Sequence, residues 1–271
     1  MNARQLQDVA APAPTSGAAR IQYRHIDGQT LHYLPASSVH PADTHFHFSF
    51  ANYFDPQRVR FGALRVLNDD DVLPHSGFGQ HPHRDMEIVS YVVDGELTHW
   101  DSATDKEAVL ERGHVQTVTA GSGVWHSELN QHSGHTRFLQ IWILPPARGL
   151  PVRYENHRFG EADRRNKLLH IVGSMSSPGD APLRLNQDVN LHVSELTDPQ
   201  AQVKFSLKPG RQAYINNFEG AVRIAGLPTL RERDALEVVG PAELTFSPAD
   251  GHAHFIIIEM AHEPAAAADR A

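Results

Sequence analysis

The chain has 271 residues and a formal net charge of -8 with histidine neutral. It contains no cysteine, which excludes disulfides, thiolate nucleophiles, zinc ribbons and iron–sulfur clusters, so any metal must be held by nitrogen and oxygen. The negative charge argues against a surface that follows a phosphate backbone, and we expect no direct binding of nucleic acid. Because no apolar run has the length of a signal peptide or a membrane span, we expect a cytoplasmic protein without membrane contact.

Short apolar or alternating runs, separated by Gly, Pro and Asp, follow one another along most of the chain. Residues 87–93, 138–144 and 255–260 are examples, and each has the length and residue types of a strand. Turn pairs such as Asp94-Gly95 and Pro209-Gly210 recur at spacings typical of an antiparallel sandwich or barrel. The pattern predicts an all-β fold.

Composition divides the chain into four segments. Residues 1–20 and 264–271 have the small-residue and proline content of disordered tails. Polar and Gly/Pro/Ser-rich stretches beyond residue 160 separate two strand-rich halves, which are weak repeats of each other. We therefore predict an N-terminal domain at 21–160 and a C-terminal domain at 161–263.

Two short segments of the N-terminal half carry residues with metal-ligand spacing. His81 and His83 stand at i and i+2, as do His126 and Glu128, and this spacing puts both side chains on the same face of a strand. The separation of 43 positions between His83 and His126 leaves room for about four short strands that bring the segments together. Three imidazoles and one carboxylate suit a divalent first-row metal and leave coordination positions open, so we predict one mononuclear metal site.

Glu87 lies in the same segment as two of these histidines. If the strand ran regularly from His81, Glu87 would share the face of the ligands, since residues of equal parity point the same way. Glu87 could then be a ligand, a group that orients an imidazole, or a solvated charge, and we favour the orienting role. Glu128 is the better carboxylate ligand because it stands two residues from His126.

The other histidines lack a matching second pair. His45-Phe-His47 has no carboxylate near it, and His252-Ala-His254 has no matching partners in its own half, so we predict no metal at either. In the C-terminal half, Arg211 to Tyr214 occupies the place of the His81 segment, and we predict a domain without metal ligands. Four further histidines are predicted to lie in exposed turns and edges, and we leave them out of the site: His99, His114, His132 and His135.

Several motifs of the N-terminal half together resemble the pirin family of the cupin superfamily, and its bacterial branch fits best. The resemblance covers most of residues 45–160. It is carried by the motifs at 81–87 (HPHRDME), 91–96 (YVVDGE), 119–128 (TAGSGVWHSE) and 139–143 (LQIWI), with further likeness at 48–55 and 64–70.

The resemblance implies a bicupin, in which two antiparallel jelly-roll β-barrels pack face to face and the N-terminal one holds the metal. The ligands of the family fall on His81, His83, His126 and Glu128. Iron(II) is the metal that the resemblance favours, although copper, nickel, manganese, cobalt and zinc also accept this ligand set. Asp85 and Met86 stand where many eukaryotic pirins carry Gly and Phe, which leaves metal binding intact, and we do not carry the specificity of their pocket over to this chain.

The resemblance also implies an activity, quercetin 2,3-dioxygenation, in which O2 cleaves the heterocycle of a flavonol. The 3-hydroxyl and 4-keto oxygens of a flavonol could reach the open positions of the metal, and Glu128 would act as the general base for the hydroxyl proton. Phe78, Met86 and Trp125 flank the ligands in the sequence and are our candidates for the walls of a pocket.

A second function of another class stays open. The chain could be an iron-binding regulatory protein that acts through contacts with a protein partner, as eukaryotic pirins are thought to act. The metal would then be structural or redox-sensing. An accessible mouth to the N-terminal domain, wide enough for a two-ring ligand, would favour the enzyme.

Overall fold

The structure is a computed structural model that describes residues 7–9, 21–176 and 179–263. The predicted tails at 1–20 and 264–271 lie outside the described residues, apart from Gln7–Val9, which form a strand. Within these ranges, no helix has the length and apolar character that a membrane span requires.

Strands make up almost all of the regular structure in the described part of the chain, which confirms the all-β prediction. A 3-10 turn at Gly28–Thr30 and the short helix α1 (Glu161–Arg164) are the helical pieces of these residues. The strands are β1 (Gln7–Val9), β2 (Ile21–Ile26), β3 (His32–Leu34), β4 (Ala42–Phe46), β5 (Leu64–Val72), β6 (Ser76–His83), β7 (Glu87–Asp94), β8 (Glu96–Asp101), β9 (Lys106–Glu111), β10 (His114–Thr119), β11 (Val124–Asn130), β12 (Thr136–Ile143), β13 (Arg153–Arg158), β14 (Leu169–Ser174), β15 (Leu183–Leu185), β16 (Val189–Leu196), β17 (Val203–Leu207), β18 (Arg211–Ile224), β19 (Ala235–Val239) and β20 (Ala242–Ala261).

The chain forms two compact units. The N-terminal unit contains Leu31–Glu161 and the described residues of Val172–Asp188, and the C-terminal unit contains the described residues of Met1–Thr30, Ala162–Ile171 and Val189–Ala271. These bounds differ from the predicted division after residue 160. Strand β2 joins the C-terminal unit because it pairs with β19, and β15 joins the N-terminal unit because it contacts β10 and β13.

Two antiparallel sheets build the N-terminal unit. The larger has seven strands in the order β13-β10-β7-β12-β5-β4-β3, and the smaller has four in the order β6-β11-β8-β9. Buried apolar residues of the two sheets pack together, among them Val92 and Phe138 from the larger and Leu97 and Leu110 from the smaller. The smaller sheet presents its inner face to this core, and that face carries the predicted ligands.

The C-terminal unit is built on one sheet in the order β1-β2-β19-β18-β20-β16, with β17 paired to β20. Its core includes Ile215, Leu236, Phe246 and Phe255, all fully buried. Within the described residues no sheet of either unit closes into a complete barrel. The short parallel pair of β14 with β15 departs from an otherwise antiparallel pattern.

The turn before β11 depends on a glycine. Gly121 has a φ of +41°, and a Cβ at this position would lie 1.8 Å from the carbonyl oxygen of Leu150. The backbone oxygen of Gly121 accepts a hydrogen bond from the amide of Asp85, at 3.0 Å, in the loop that follows β6. One tight turn therefore ties the ends of the two strands that carry His83 and His126.

Gly121→Ala tests this constraint. We expect it to lower the free energy of unfolding by at least about 2 kcal/mol, since alanine adds both a left-handed backbone cost and a steric clash. Gly134→Ala is the matched control, because a Cβ there meets nothing within 4 Å and the change should cost little. Urea unfolding of both variants makes the comparison, and equal midpoints would contradict the role given to Gly121.

Candidate metal centre

The register of β6 against β11 brings three predicted ligands together. His81 lies opposite His126, and His83 lies opposite Val124. The Nε2 atoms of His81 and His126 are 3.0 Å apart, and the ring centroid of His83 lies 4.7 Å from that of His81 and 4.5 Å from that of His126. One ring nitrogen from each histidine falls within 4.8 Å of the other two. We call these three residues the histidine triad.

The triad fits a metal ion. Nitrogen ligands at about 2.1 Å from one metal lie no more than about 4.2 Å from each other, so only a small contraction is needed. The Nδ1 atom of His81 lies 2.7 Å from the carbonyl oxygen of Gly79, to which it can donate its hydrogen. This hydrogen bond leaves the lone pair on Nε2 of His81, the atom that faces His126, which is the usual arrangement of a metal-binding imidazole.

Burial and neighbouring charges keep two histidines of the triad, His83 and His126, in the form that binds metal. Burial, followed by the proximity of His126 and His81, lowers the pKa of His83 to about 3. Burial, followed by the proximity of His81 and His99, lowers the pKa of His126 to about 3. Both imidazoles are therefore neutral at neutral pH, with lone pairs available to a cation.

Glu128 follows His126 on β11 after an irregularity in the pairing with β6. Its carboxylate is buried and accepts three side-chain hydrogen bonds. Ser90 Oγ donates to Oε1 at 2.8 Å, Gln116 Nε2 donates to Oε1 at 2.9 Å, and Gln140 Nε2 donates to Oε2 at 2.5 Å. These donors come from β7, β10 and β12 of the larger sheet, so Glu128 is held where the two sheets meet.

The four predicted ligands do not form one compact group. Glu128 groups with His126 and with His99, whereas His81 and His83 group with His126 alone. His126 belongs to both sets and lies between them. The structure therefore places Glu128 beside the triad rather than within it.

His99 was expected at an exposed edge, and that prediction is wrong. The side chain is completely buried, stacks on Tyr154 with ring centroids 4.5 Å apart, and lies 3.3 Å from the carboxylate of Asp101. Burial lowers its pKa, although Glu128 and Asp101 oppose that shift. Pairing of β8 with β11 puts His99 opposite Glu128. The His-x-Asp spacing on β8 was the signal that could have found it.

The other three histidines that we left out of the site differ in burial. His114 is buried, contrary to the prediction, and its Nδ1 accepts a hydrogen bond from the backbone amide of Glu111. His132 and His135 are about half exposed, as expected. None of these three belongs to the groups of potential metal ligands among the described residues.

Glu87 has a different role from the one predicted. Strand β6 ends at His83, and Asp85 has a φ of +50°, so the chain turns before Glu87 begins β7. Its buried carboxylate accepts hydrogen bonds from the backbone amides of Asn186, at 2.7 Å, and Gln187, at 2.9 Å, and from side chains of Asn186 and Thr119. Glu87 thus anchors the loop before β16. None of these hydrogen bonds joins Glu87 to the histidine triad.

A cavity of about 440 Å³ opens beside the triad. It is lined by Pro82, His83, Arg84, Ser122, Gly123, Val124 and Trp125. Of the three predicted wall residues, Trp125 is 52% exposed and lines this cavity. Met86 and Phe78 instead pack against the two apolar clusters of the unit.

Comparison with known proteins finds matches for both halves of the chain. The pirin family model matches residues 28–143, and the model of the quercetinase C-terminal cupin domain matches residues 172–260. A pirin-like protein of Caulobacter vibrioides is 36% identical over 219 residues, which cover 79% of this chain and 90% of that protein. A quercetin 2,3-dioxygenase of Escherichia coli K12 is 40% identical over 183 residues, 66% of this chain and 75% of that protein.

Solved structures share the fold of this chain. A bacterial pirin of Escherichia coli, in complex with nickel(II), superposes with a TM-score of 0.79 at 29% identity, covering 89% of this chain and 100% of the other. Fold and site together define a cupin protein with two cupin domains and a candidate metal centre in the first. The chain belongs to the pirin family.

Glu87→Gln separates the anchoring role from a ligand role. We expect the variant to lose about 1–3 kcal/mol of unfolding free energy, because an amide nitrogen would face donors that now bind a carboxylate oxygen. Metal affinity should stay within about threefold of the wild type. Denaturant unfolding and metal titration measure the two quantities, and loss of metal without loss of stability would contradict the anchoring role.

The metal-free protein should lose stability in acid. Below the ordinary histidine pKa of 6.5 the unfolded chain binds protons that His83 and His126 do not bind until about pH 3, so stability falls as the pH falls through this window. The expected slope is up to about 1.4 kcal/mol per pH unit for each histidine. Unfolding in EDTA at pH 7, 6 and 5 measures it, and His83→Asn should reduce the slope. An unchanged slope in His83→Asn would contradict the assignment.

Proposed function

We propose that this protein is a metal-dependent dioxygenase of the quercetin 2,3-dioxygenase type, which cleaves a flavonol-like substrate with O2. The observation that carries the proposal is the histidine triad, which adjoins both a buried carboxylate and an open cavity. The similarity to a quercetin 2,3-dioxygenase of Escherichia coli supports the same activity.

His81, His83 and His126 would hold the metal, and Glu128 is the fourth candidate ligand. Iron(II) is the proposed metal, and the nickel of the related pirin indicates that this type of site also accepts other divalent ions. When bound, the metal would supply Lewis acidity toward an oxygen of the substrate.

Glu128 would act as the general base. Its two oxygens are held differently, since Oε1 accepts from both Ser90 and Gln116 whereas Oε2 accepts from Gln140. Oε2 therefore has more lone-pair capacity left, and we assign it as the atom that takes the hydroxyl proton of the substrate. The three donors fix the orientation of the carboxylate, so no reorganisation is needed before proton transfer.

The cavity beside the triad would bind the substrate. Its volume of about 440 Å³ lies within the usual range for small-molecule sites. The exposed indole of Trp125 offers a flat apolar face to an aromatic ring, and His83 joins this wall to the metal centre. An open mouth of this kind favours an enzyme over a purely regulatory protein.

The test is anaerobic reconstitution with iron(II), followed by measurement of O2 uptake with quercetin. We expect wild type to bind one iron at the triad and to consume O2. His83→Ala should lose the iron, and Glu128→Gln should lower kcat by about 100-fold or more. His135→Ala and Glu107→Gln are matched controls, because both replace exposed residues of the same unit, and both should behave as wild type.

One outcome would contradict this proposal. If wild type binds iron but consumes no more O2 than the two site variants, the dioxygenase proposal fails. The metal would then serve the alternative function, an iron-binding regulatory protein with a protein partner.

A further inference from the structure

The C-terminal unit carries a second cluster of possible metal ligands, at positions unrelated to the histidine triad. One ligand atom each from Glu195, Glu219 and His252 lies within 4.8 Å of the other two. These residues come from β16, β18 and β20, three adjacent strands of the sheet of that unit. We propose that Glu195, Glu219 and His252 bind a divalent first-row cation such as Zn²⁺.

Strand pairing explains how the three side chains meet. Glu195 and Glu219 both lie opposite His254, from the two sides of β20. Two residues before His254, His252 points to the same face, as alternation along a strand requires. Gly220 lets β18 approach closely, since a Cβ there would lie 2.2 Å from the carbonyl oxygen of His252. The cluster is thus a product of the fold and not of one flexible loop.

Neighbouring groups orient the two carboxylates. Arg164 donates from Nε to Oε2 of Glu195 at 2.9 Å, and Oε1 of Glu195 lies 3.5 Å from Nε2 of His252. The buried ring of His254 contacts Oε2 of Glu219 through Nδ1 at 2.7 Å. Ligands that are themselves held by a second set of hydrogen bonds are typical of protein metal sites.

Charge and access also fit a cation. Two carboxylates meet in this cluster, and the printed contact of Arg164 is with one of them, Glu195. Carboxylate oxygens this close repel each other unless a cation or a proton lies between them. The side chain of His252 is 39% exposed, and that of Glu219 is 24% exposed, so an ion from solvent can reach the cluster. One imidazole with two carboxylates is a ligand set that Zn²⁺ accepts.

The experiment counts zinc on the full-length protein after removal of metal. Wild type, His252→Ala and Glu219→Gln are titrated with Zn²⁺ by isothermal calorimetry, and bound zinc is measured after dialysis. We expect each variant to bind one equivalent less than wild type, or to bind that equivalent more than about tenfold more weakly. Circular dichroism checks that the variants are folded, and both replacements are at partly exposed side chains.

Two controls make the result specific. Asp250→Asn removes an exposed carboxylate two residues from His252 and should leave the zinc count unchanged. His83→Ala should lose the equivalent of the N-terminal unit and keep the one proposed here, so the two sites fail separately. The proposal is overturned if His252→Ala and Glu219→Gln bind as much zinc as wild type with the same affinity.

Discussion

The pairing of β6 with β11 is the constraint on which the N-terminal unit depends. Its register places His81 opposite His126, and a slip of one residue would turn an entire set of ligands to the other face of the sheet. The turn at Gly121 fixes the end of this pair, and β8 fixes its other side by pairing with β11. The metal centre is therefore set by backbone geometry, with side chains added at positions that the register defines.

Burial then decides the chemistry of these side chains. Burial makes protonation of an imidazole unfavourable, and the proximity of the other histidines makes it more so. His83 and His126 therefore remain neutral over the physiological range. Glu128 is also buried, but Ser90, Gln116 and Gln140 supply the donors that a buried carboxylate requires. The same sheet interface thus provides nitrogen ligands and a hydrogen-bonded carboxylate within a few ångströms of each other.

Much of this could be predicted from the sequence, for reasons that particular residues make clear. The i and i+2 spacing of His81 with His83, and the recurrence of a second such pair, required only strand periodicity. Glu87 was misplaced because that periodicity stops at the turn around Asp85, where a positive φ cannot be read from neighbouring residues. His99 was missed because its burial follows from the pairing of β8 with β11, a contact between distant segments.

The C-terminal unit illustrates the same limit. His252-Ala-His254 had no visible partner in the sequence, since Glu195 and Glu219 approach it from separate strands. The sequence also did not show that β2 belongs to this unit, because β2 pairs with β19, which lies more than 200 residues later in the chain. Periodicity predicts which side chains share a strand face, whereas only the fold shows which faces meet.

The most direct measurement is a crystal structure of the iron-loaded protein, with an anomalous difference map recorded at the iron edge. The histidine triad predicts a peak within about 2.3 Å of one ring nitrogen of each of His81, His83 and His126. A peak bound by His99 and Glu128 without His81 and His83, or no peak in the N-terminal unit, would contradict the central claim.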